Sequence, residues 1–265
     1  MSFQPILTGG GLAGWRFLTR SLTDQTAVFA AQPQLQRDIQ YFQDRIAKIE
    51  TPAQLVGDYR LLGVALGAFG LSDDISSRAF IERLLQEGAT APEALANKLS
   101  DSRYKALAAA FGFDQPVSRV AEPGFAEEIA DRYQAQNFEI AVGAQNDDLR
   151  MALYAQRQLS EVVSAAGSED AKWYRIMGEA PLRRVIEAAL GLPASFGQID
   201  LDQQLGVFKT RFAAQFSQDG LAALAETELR DQLIDRYLLT QQAAAVRQIS
   251  AGAVALTLLQ SNARG

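Results

Sequence analysis

Apolar residues recur at helical spacing along nearly the whole chain, and the breaks between runs are short. A first helix is expected over about Leu12 to Ala31, and Gln32-Pro33 separates it from a second over Gln34 to Glu50. Thr51-Pro52 supplies an N-cap with proline in the first turn, where its missing N–H costs nothing. The helix it opens is expected to run to Gly70, with Leu55, Tyr59, Leu62, Leu66 and Phe69 on one face. Ser72-Asp73-Asp74 reads as the cap of a further helix with Phe80, Ile81, Leu84 and Leu85 inward. Thr90-Ala91-Pro92-Glu93 reads as a capping box opening a short helix through Leu99. Ser100 or Asp101 caps another that carries Tyr104, Leu107, Ala108 and Phe111.

Phe113 to Gly124 holds prolines and glycine and reads as a loop. A long pattern runs from Phe125 to about Ala165, its buried stripe marked by Ile129, Tyr133, Ile140, Leu149, Leu153, Leu159 and Val163. Gly143 and Asn146-Asp147-Asp148 divide it in an alternative reading as two helices. After Gly167, a second unit begins near Trp173, with Pro181 suited to a first turn and Gly191-Leu192-Pro193 to a helix stop. The last pattern, Ala225 to about Gln260, is longer than most globular helices and reads as coiled-coil-like or partner-facing. No segment alternates apolar and polar residues between turn signals, so the predicted fold class is all-α.

The pattern also repeats. Ile129-Ala130-Asp131-Arg132-Tyr133 returns as Leu233-Ile234-Asp235-Arg236-Tyr237, an offset of 104 for the Asp-Arg-Tyr triplet. Ala109-Ala110-Phe111 is echoed by Ala214-Gln215-Phe216. Leu61, Val64 and Ala68-Phe69-Gly70-Leu71 align with Leu182, Val185 and Ala189-Leu190-Gly191-Leu192 at an offset of 121. These matches predict two related helical subdomains from an internal duplication, behind an N-terminal helical arm. The expected division is an arm over 1–50, a first unit over 51–167 and a second over 168–265 with the long C-terminal helix.

Composition narrows the chemistry. The chain has neither cysteine nor histidine, which removes disulfides, thiolate nucleophiles, cysteine or histidine metal sites and every Ser-His-Asp arrangement. A net charge of −6 without a basic patch disfavours nucleic acid. No apolar run reaches the roughly 18–20 residues of a membrane span. Met1 to Gly14 lacks the basic start and apolar stretch of a cleaved secretory leader, so a cytoplasmic location is the default expectation, with export lacking such a leader as the alternative. No cofactor and no metal is expected.

Local motifs read blandly. Gly9-Gly10-Gly11-Leu12-Ala13-Gly14 matches G-x-G-x-x-G in letters, but that motif works only after a strand in a βαβ unit. The triplets at Asp131 and Asp235 place consecutive side chains about 100° apart on a helix, so they do not converge on one ligand. Nothing in the spacing of the acid pairs Asp73-Asp74, Glu127-Glu128 and Asp147-Asp148 predicts a glycosidase pair, and two of them sit where helix starts favour negative charge. The apolar residues Trp15, Phe17 and Leu18 near the N-terminus, and Val246, Ile249, Val254 and Leu258 near the C-terminus, are the candidate partner-binding positions. For the N-terminal group, docking on the chain's own core is the competing reading.

Several blocks occur in a familiar order. Gly14-Trp15-Arg16-Phe17-Leu18, Arg37-Asp38-Ile39-Gln40-Tyr41-Phe42, the run from Leu61 to Leu71, the run from Ala96 to Tyr104, and Phe111-Gly112-Phe113 together resemble an uncharacterised bacterial family, domain of unknown function 1217. The second unit, with Ala189-Leu190-Gly191-Leu192-Pro193, fits the same pattern. Members of that family often occur alongside flagellar genes, so the resemblance implies a flagellum-related role. It brings no catalytic or binding residues. The expectation is a non-enzymatic structural or adaptor protein that meets a protein partner, or a second copy of itself, through its helices. A cytoplasmic export chaperone or regulator is the first alternative, and a carboxylate-dependent hydrolase the second.

Overall fold

A computed structural model of the chain describes the backbone of residues 3–218 and 220–262, and side chains through Arg247 apart from Ala194 and Asp219. The fold is all-α, with no strand among the described residues. Its helices in order are α1 (Gly11–Ala30), α2 (Pro33–Arg45), α3 (Pro52–Gly57), α4 (Tyr59–Ala68), α5 (Arg78–Glu87), α6 (Leu95–Lys98) and α7 (Ser102–Phe111). Then come α8 (Phe125–Gly143), α9 (Asp147–Ser164), α10 (Glu169–Gly178), α11 (Ala180–Ala189), α12 (Leu201–Phe216) and α13 (Thr227–Asn262). Short 3-10 turns join several of them.

Contacts gather the chain into two compact units, Met1–Ile6 with Leu18–Gln145, and Leu7–Phe17 with Asn146–Gly265. This grouping differs from the expected arm and 167/168 boundary. The reason is local: α9 packs on α11 and α13, which ties Asp147–Ser164 to the later helices.

In the first unit α4 is the centre, packed against α2 and α8. Phe42, Leu62, Leu84, Phe111 and Ile129 meet in one buried cluster, and Phe111 meets Phe125 edge-on at 5.2 Å. Each such side chain, fully buried, stabilises the fold by about 1.5–3 kcal/mol. Tyr133 packs partly buried against this cluster, so the first Asp-Arg-Tyr triplet is a packing tyrosine beside an exposed Asp131 and an Arg132 paired with Glu128. In the second unit α9, α11 and α13 pack on one another, and Trp173 stacks on Phe208 at 5.7 Å with Phe212 edge-on.

Several expected boundaries move, each for a visible reason. The helix expected over 51–70 is two helices. Thr51 and Gln54 form the capping box of α3, but Asp58 is extended and its carboxylate accepts from the N–H groups of Arg60 and Leu61 to start α4 afresh. That break turns Tyr59 outward, to 58% exposure, instead of into the core. The box at Thr90 is not used: Thr90 donates its N–H to Asp114, and α6 begins later, with Leu95 N–H donating to Glu87. Ser72-Asp73-Asp74 opens a 3-10 turn, and α5 starts at Arg78. The pattern over 125–165 takes its two-helix form, since Asn146 caps α9 by accepting from Leu149 N–H at 2.9 Å. Ile140 is 48% exposed and does not belong to the buried stripe.

The two helix stops share one geometry. Leu71 N–H donates to Leu66 O at 2.9 Å, and Leu192 N–H donates to Glu187 O at 2.9 Å. Gly70 and Gly191 stand between them at φ +69° and +66°, the left-handed region that glycine enters without strain.

The α4–α8 seam depends on a second kind of glycine. A Cβ on Gly67 would lie 2.5 Å from the Tyr133 ring, while one on Gly57 would meet nothing within 4 Å. Gly67→Ala is therefore expected to destabilise by about 1–3 kcal/mol through overpacking. Gly57→Ala should be neutral or stabilising by up to about 1 kcal/mol. Urea unfolding of both variants checks the contrast, and equal effects would contradict this account of the seam.

Candidate functional site

The candidate site is the long helix α13, and its first part is firmly held. Arg230 donates to the carbonyls of Leu224 and Ala225 just before the helix. Leu229, Leu233, Ile234, Tyr237 and Leu238 are all buried. The Tyr237 hydroxyl donates to Asp148 Oδ1 at 3.0 Å, and Arg184 donates to the same carboxylate and to Asp147. Arg236 donates to Ala189 O, and Asp235 pairs with Arg16. The second Asp-Arg-Tyr triplet is thus a structural seam, with each side chain spent on a different partner.

Beyond Leu238 the burial stops. From Leu239 to Arg247 no side chain is buried, and Leu239 and Val246 are 51% and 65% exposed. The helical backbone continues to Asn262, a further length of about 36 Å at ~1.5 Å per residue. Ile249, Val254 and Leu258 lie outside the described side chains, on this helical backbone.

The N-terminal candidates fare differently. Trp15 is 2% exposed and Leu18 0%, so both are core residues and neither is open to a partner. Phe17 is half-buried. The apolar face of α1 is consumed by the chain itself, the competing reading for this group. Gly9 to Gly14 forms the tight entry to α1: a Cβ on Gly14 would stand 2.3 Å from Gly9 O, and no strand precedes it among the described residues.

A second feature is an open cleft of about 540 Å³ lined by Asp44, Arg45, Lys48, Ile49, Asp58 and Leu61. Tyr41 lies beside it, its ring under the guanidinium groups of Arg45 at 4.6 Å and Arg60 at 4.0 Å, its hydroxyl donating to Asp58 at 2.7 Å. Burial pushes the Asp58 carboxyl up, but the Tyr41 hydroxyl and the N–H groups of Leu61 and Arg60 outweigh it and hold the group below its ordinary value. The hydrogen bond to Asp58 in turn raises Tyr41. At neutral pH this carboxyl stays ionised and this phenol protonated, which suits binding and positioning rather than proton transfer. The hydrolase reading needs a raised carboxyl in its cleft, and Asp58 is shifted the other way.

Each acid pair marked in the sequence has at least one member engaged in a tie. Asp74 accepts from the Tyr104 hydroxyl at 2.8 Å. Asp147 and Asp148 hold Arg184, and Glu128 pairs with Arg119 and Arg132. Besides the Tyr41–Asp58 tie, sequence reasoning missed a second pairing: Tyr154 donates to Glu179, which is 3% exposed, at the one-residue break between α10 and α11. Glu179 stands 121 positions after Asp58, but the role of Asp58 was itself not legible in the sequence, so that offset gave no signal.

Residues 68–220 match the family described as "Protein of unknown function (DUF1217)". That match covers more than half of the chain, and the chain belongs to this family. The X-ray crystal structure of protein AGR_C_984 from Agrobacterium tumefaciens, a structural-genomics target, is similar at TM-score 0.73 and 23% identity, over 90% of this chain and 98% of that one. At that identity the likeness shows the shared fold. No curated protein matches the chain. Among the described residues no helix is long and apolar enough to cross a membrane.

The tyrosine–carboxylate ties carry a pH signature. Burial first, and then the hydrogen bond to Asp74, pushes the Tyr104 phenol from 10.0 up to about 12. A raised folded-state value means this stabilisation is complete below the unfolded value and is lost as pH rises through the folded one. The urea midpoint of the wild type is expected to fall between about pH 10 and 12. Tyr104→Phe should start lower and fall less steeply over that window. Parallel pH curves for the two proteins would contradict the tie.

Proposed function

We propose that this DUF1217 family member is a non-enzymatic structural or adaptor protein of the bacterial flagellar system, working through helix-to-helix contacts made by α13. One observation carries the reading. A 36-residue helix is anchored by buried residues only as far as Leu238, and continues with exposed Leu239 and Val246. A helix face of this kind is what helix-mediated recognition uses. The flagellar assignment draws on the family resemblance and on a cysteine-free, helical chain, traits common among axial proteins and their export partners.

The same reading treats the two units as copies of one helical unit. Supporting it, Asp58 and Glu179 occupy one-residue breaks between consecutive helices, and each accepts from a tyrosine on an earlier helix. At the same offset of 121, Leu55 and Val56 correspond to Ile176 and Met177, all buried. In each unit the helix after the break packs on the last long helix, α4 on α8 and α11 on α13.

The test is location together with a variant. Cells with and without a working flagellar export apparatus are fractionated into cytoplasm, basal bodies and medium. The wild type is expected in basal bodies or medium only when export works. Val246→Asp with Ile249→Asp should keep its helical circular dichroism yet disappear from the assembled fraction. Retention in the cytoplasm regardless of export would favour the chaperone or regulator alternative, and an unaltered distribution of the double variant would remove α13 from the function.

A further inference from the structure

We infer that the open cleft at the end of α2 binds a short zwitterionic peptide, one that carries an ammonium group, a carboxylate and an aliphatic side chain together. This site is separate from α13 and does not rest on the function proposed for that helix.

Two segments of the first unit supply the lining. Asp44, Arg45, Lys48 and Ile49 come from the last turn of α2 and the 3-10 turn that follows it. Asp58 and Leu61 come from the α3–α4 break and the first turn of α4. The lining therefore holds two carboxylates, two cations and two aliphatic side chains. Its volume of about 540 Å³ lies inside the range of small-ligand sites, roughly 300–1,000 Å³.

The anionic half is partly fixed. The Tyr41 hydroxyl and the N–H groups of Arg60 and Leu61 fill three of the roughly four acceptor positions on the Asp58 carboxylate. Those bonds hold the group in one orientation and leave one position to offer. Asp44 is exposed and takes one amide donor, from Gln40 at 2.8 Å. These two side chains are the acceptors for an ammonium group.

The cationic half is open. Arg60 is occupied, by Asp38 at 3.2 Å and by Arg37 O. Arg45 and Lys48 are exposed, and among the described residues neither pairs with a carboxylate. Arg45 rests over the Tyr41 ring at 4.6 Å. A ring supplies no hydrogen-bond acceptor, so the guanidinium fork can still take a carboxylate. A simple anion in this cleft would meet Asp44 and Asp58, and a simple cation would meet Arg45 and Lys48. A ligand with both charges satisfies all four, while its side chain covers half-buried Ile49 and buried Leu61.

The test titrates the full chain with L-leucyl-L-leucine and follows backbone amide shifts by heteronuclear NMR. Saturable shifts are expected over residues 44–49 and 58–61, with a millimolar dissociation constant. N-acetylation of the dipeptide removes its ammonium group, and amidation removes its carboxylate. Each change should weaken binding about fivefold, the upper end for a solvent-open ion pair. Two variants separate the ends. Lys48→Gln should weaken leucyl-leucine about fivefold and leave the amidated form unchanged. Asp44→Asn should weaken leucyl-leucine to the same degree and leave the N-acetylated form unchanged. Both side chains are exposed, so each variant should keep its thermal midpoint. Absence of saturable shifts, equal binding of the three peptides, or variants that do not discriminate between them would each overturn the zwitterion site.

Discussion

A one-residue break between two helices leaves the first N–H groups of the second without intrahelical acceptors, and both units are organised around a carboxylate at such a break. In the first, Asp58 takes two of those N–H groups itself and also the Tyr41 hydroxyl. In the second, Pro181 in the first turn of α11 removes one donor outright, and Glu179 makes no cap but receives the hydroxyl of Tyr154. Either way a tyrosine from α2 or α9 is fastened to the point where the chain changes direction. That point sets how α4 meets α8 and how α11 meets α13. A buried or half-buried carboxyl left without a hydrogen-bond partner is costly whichever form it takes, so the tyrosines are part of the fold's geometry.

The same constraint explains what was and was not legible in the residues. Helix class, the caps at Thr51 and Asp101, and the stops at Gly70 and Gly191 follow from local rules, because their partners lie within a few positions. The break at Asp58 did not follow. The apolar run from Leu55 to Phe69 has continuous helical spacing, and only the side chain's turn back onto Arg60 and Leu61 divides it. The capping box at Thr90 failed for the opposite reason, since Asp114, distant in sequence, takes the Thr90 N–H that Glu93 would have satisfied. For the candidate site, the exposed face at Val246 was readable from the length of the last helix. The fate of Trp15 and Leu18 was not, because an apolar stripe near a terminus looks the same whether it docks inward or outward.

The two parts of α13 are therefore governed by different physics. Up to Leu238 the helix is held by burial and by the ties of Tyr237, Arg236 and Asp235. Past it, no side chain through Arg247 is buried. Proteins draw their binding elements from segments whose stability is completed by a partner. The cleft beside Tyr41 is the opposite case, since Tyr41, Asp58 and Arg60 already satisfy one another there.

Hydrogen exchange along α13 of the isolated chain tests this division most directly. Amides of 229–238 should be protected, and those of 239–262 should exchange quickly when no partner is present. Protection of 239–262 equal to that of 229–238 in the isolated chain would show that the chain alone stabilises the whole helix, and the central claim that its outer part is completed by a partner would be wrong.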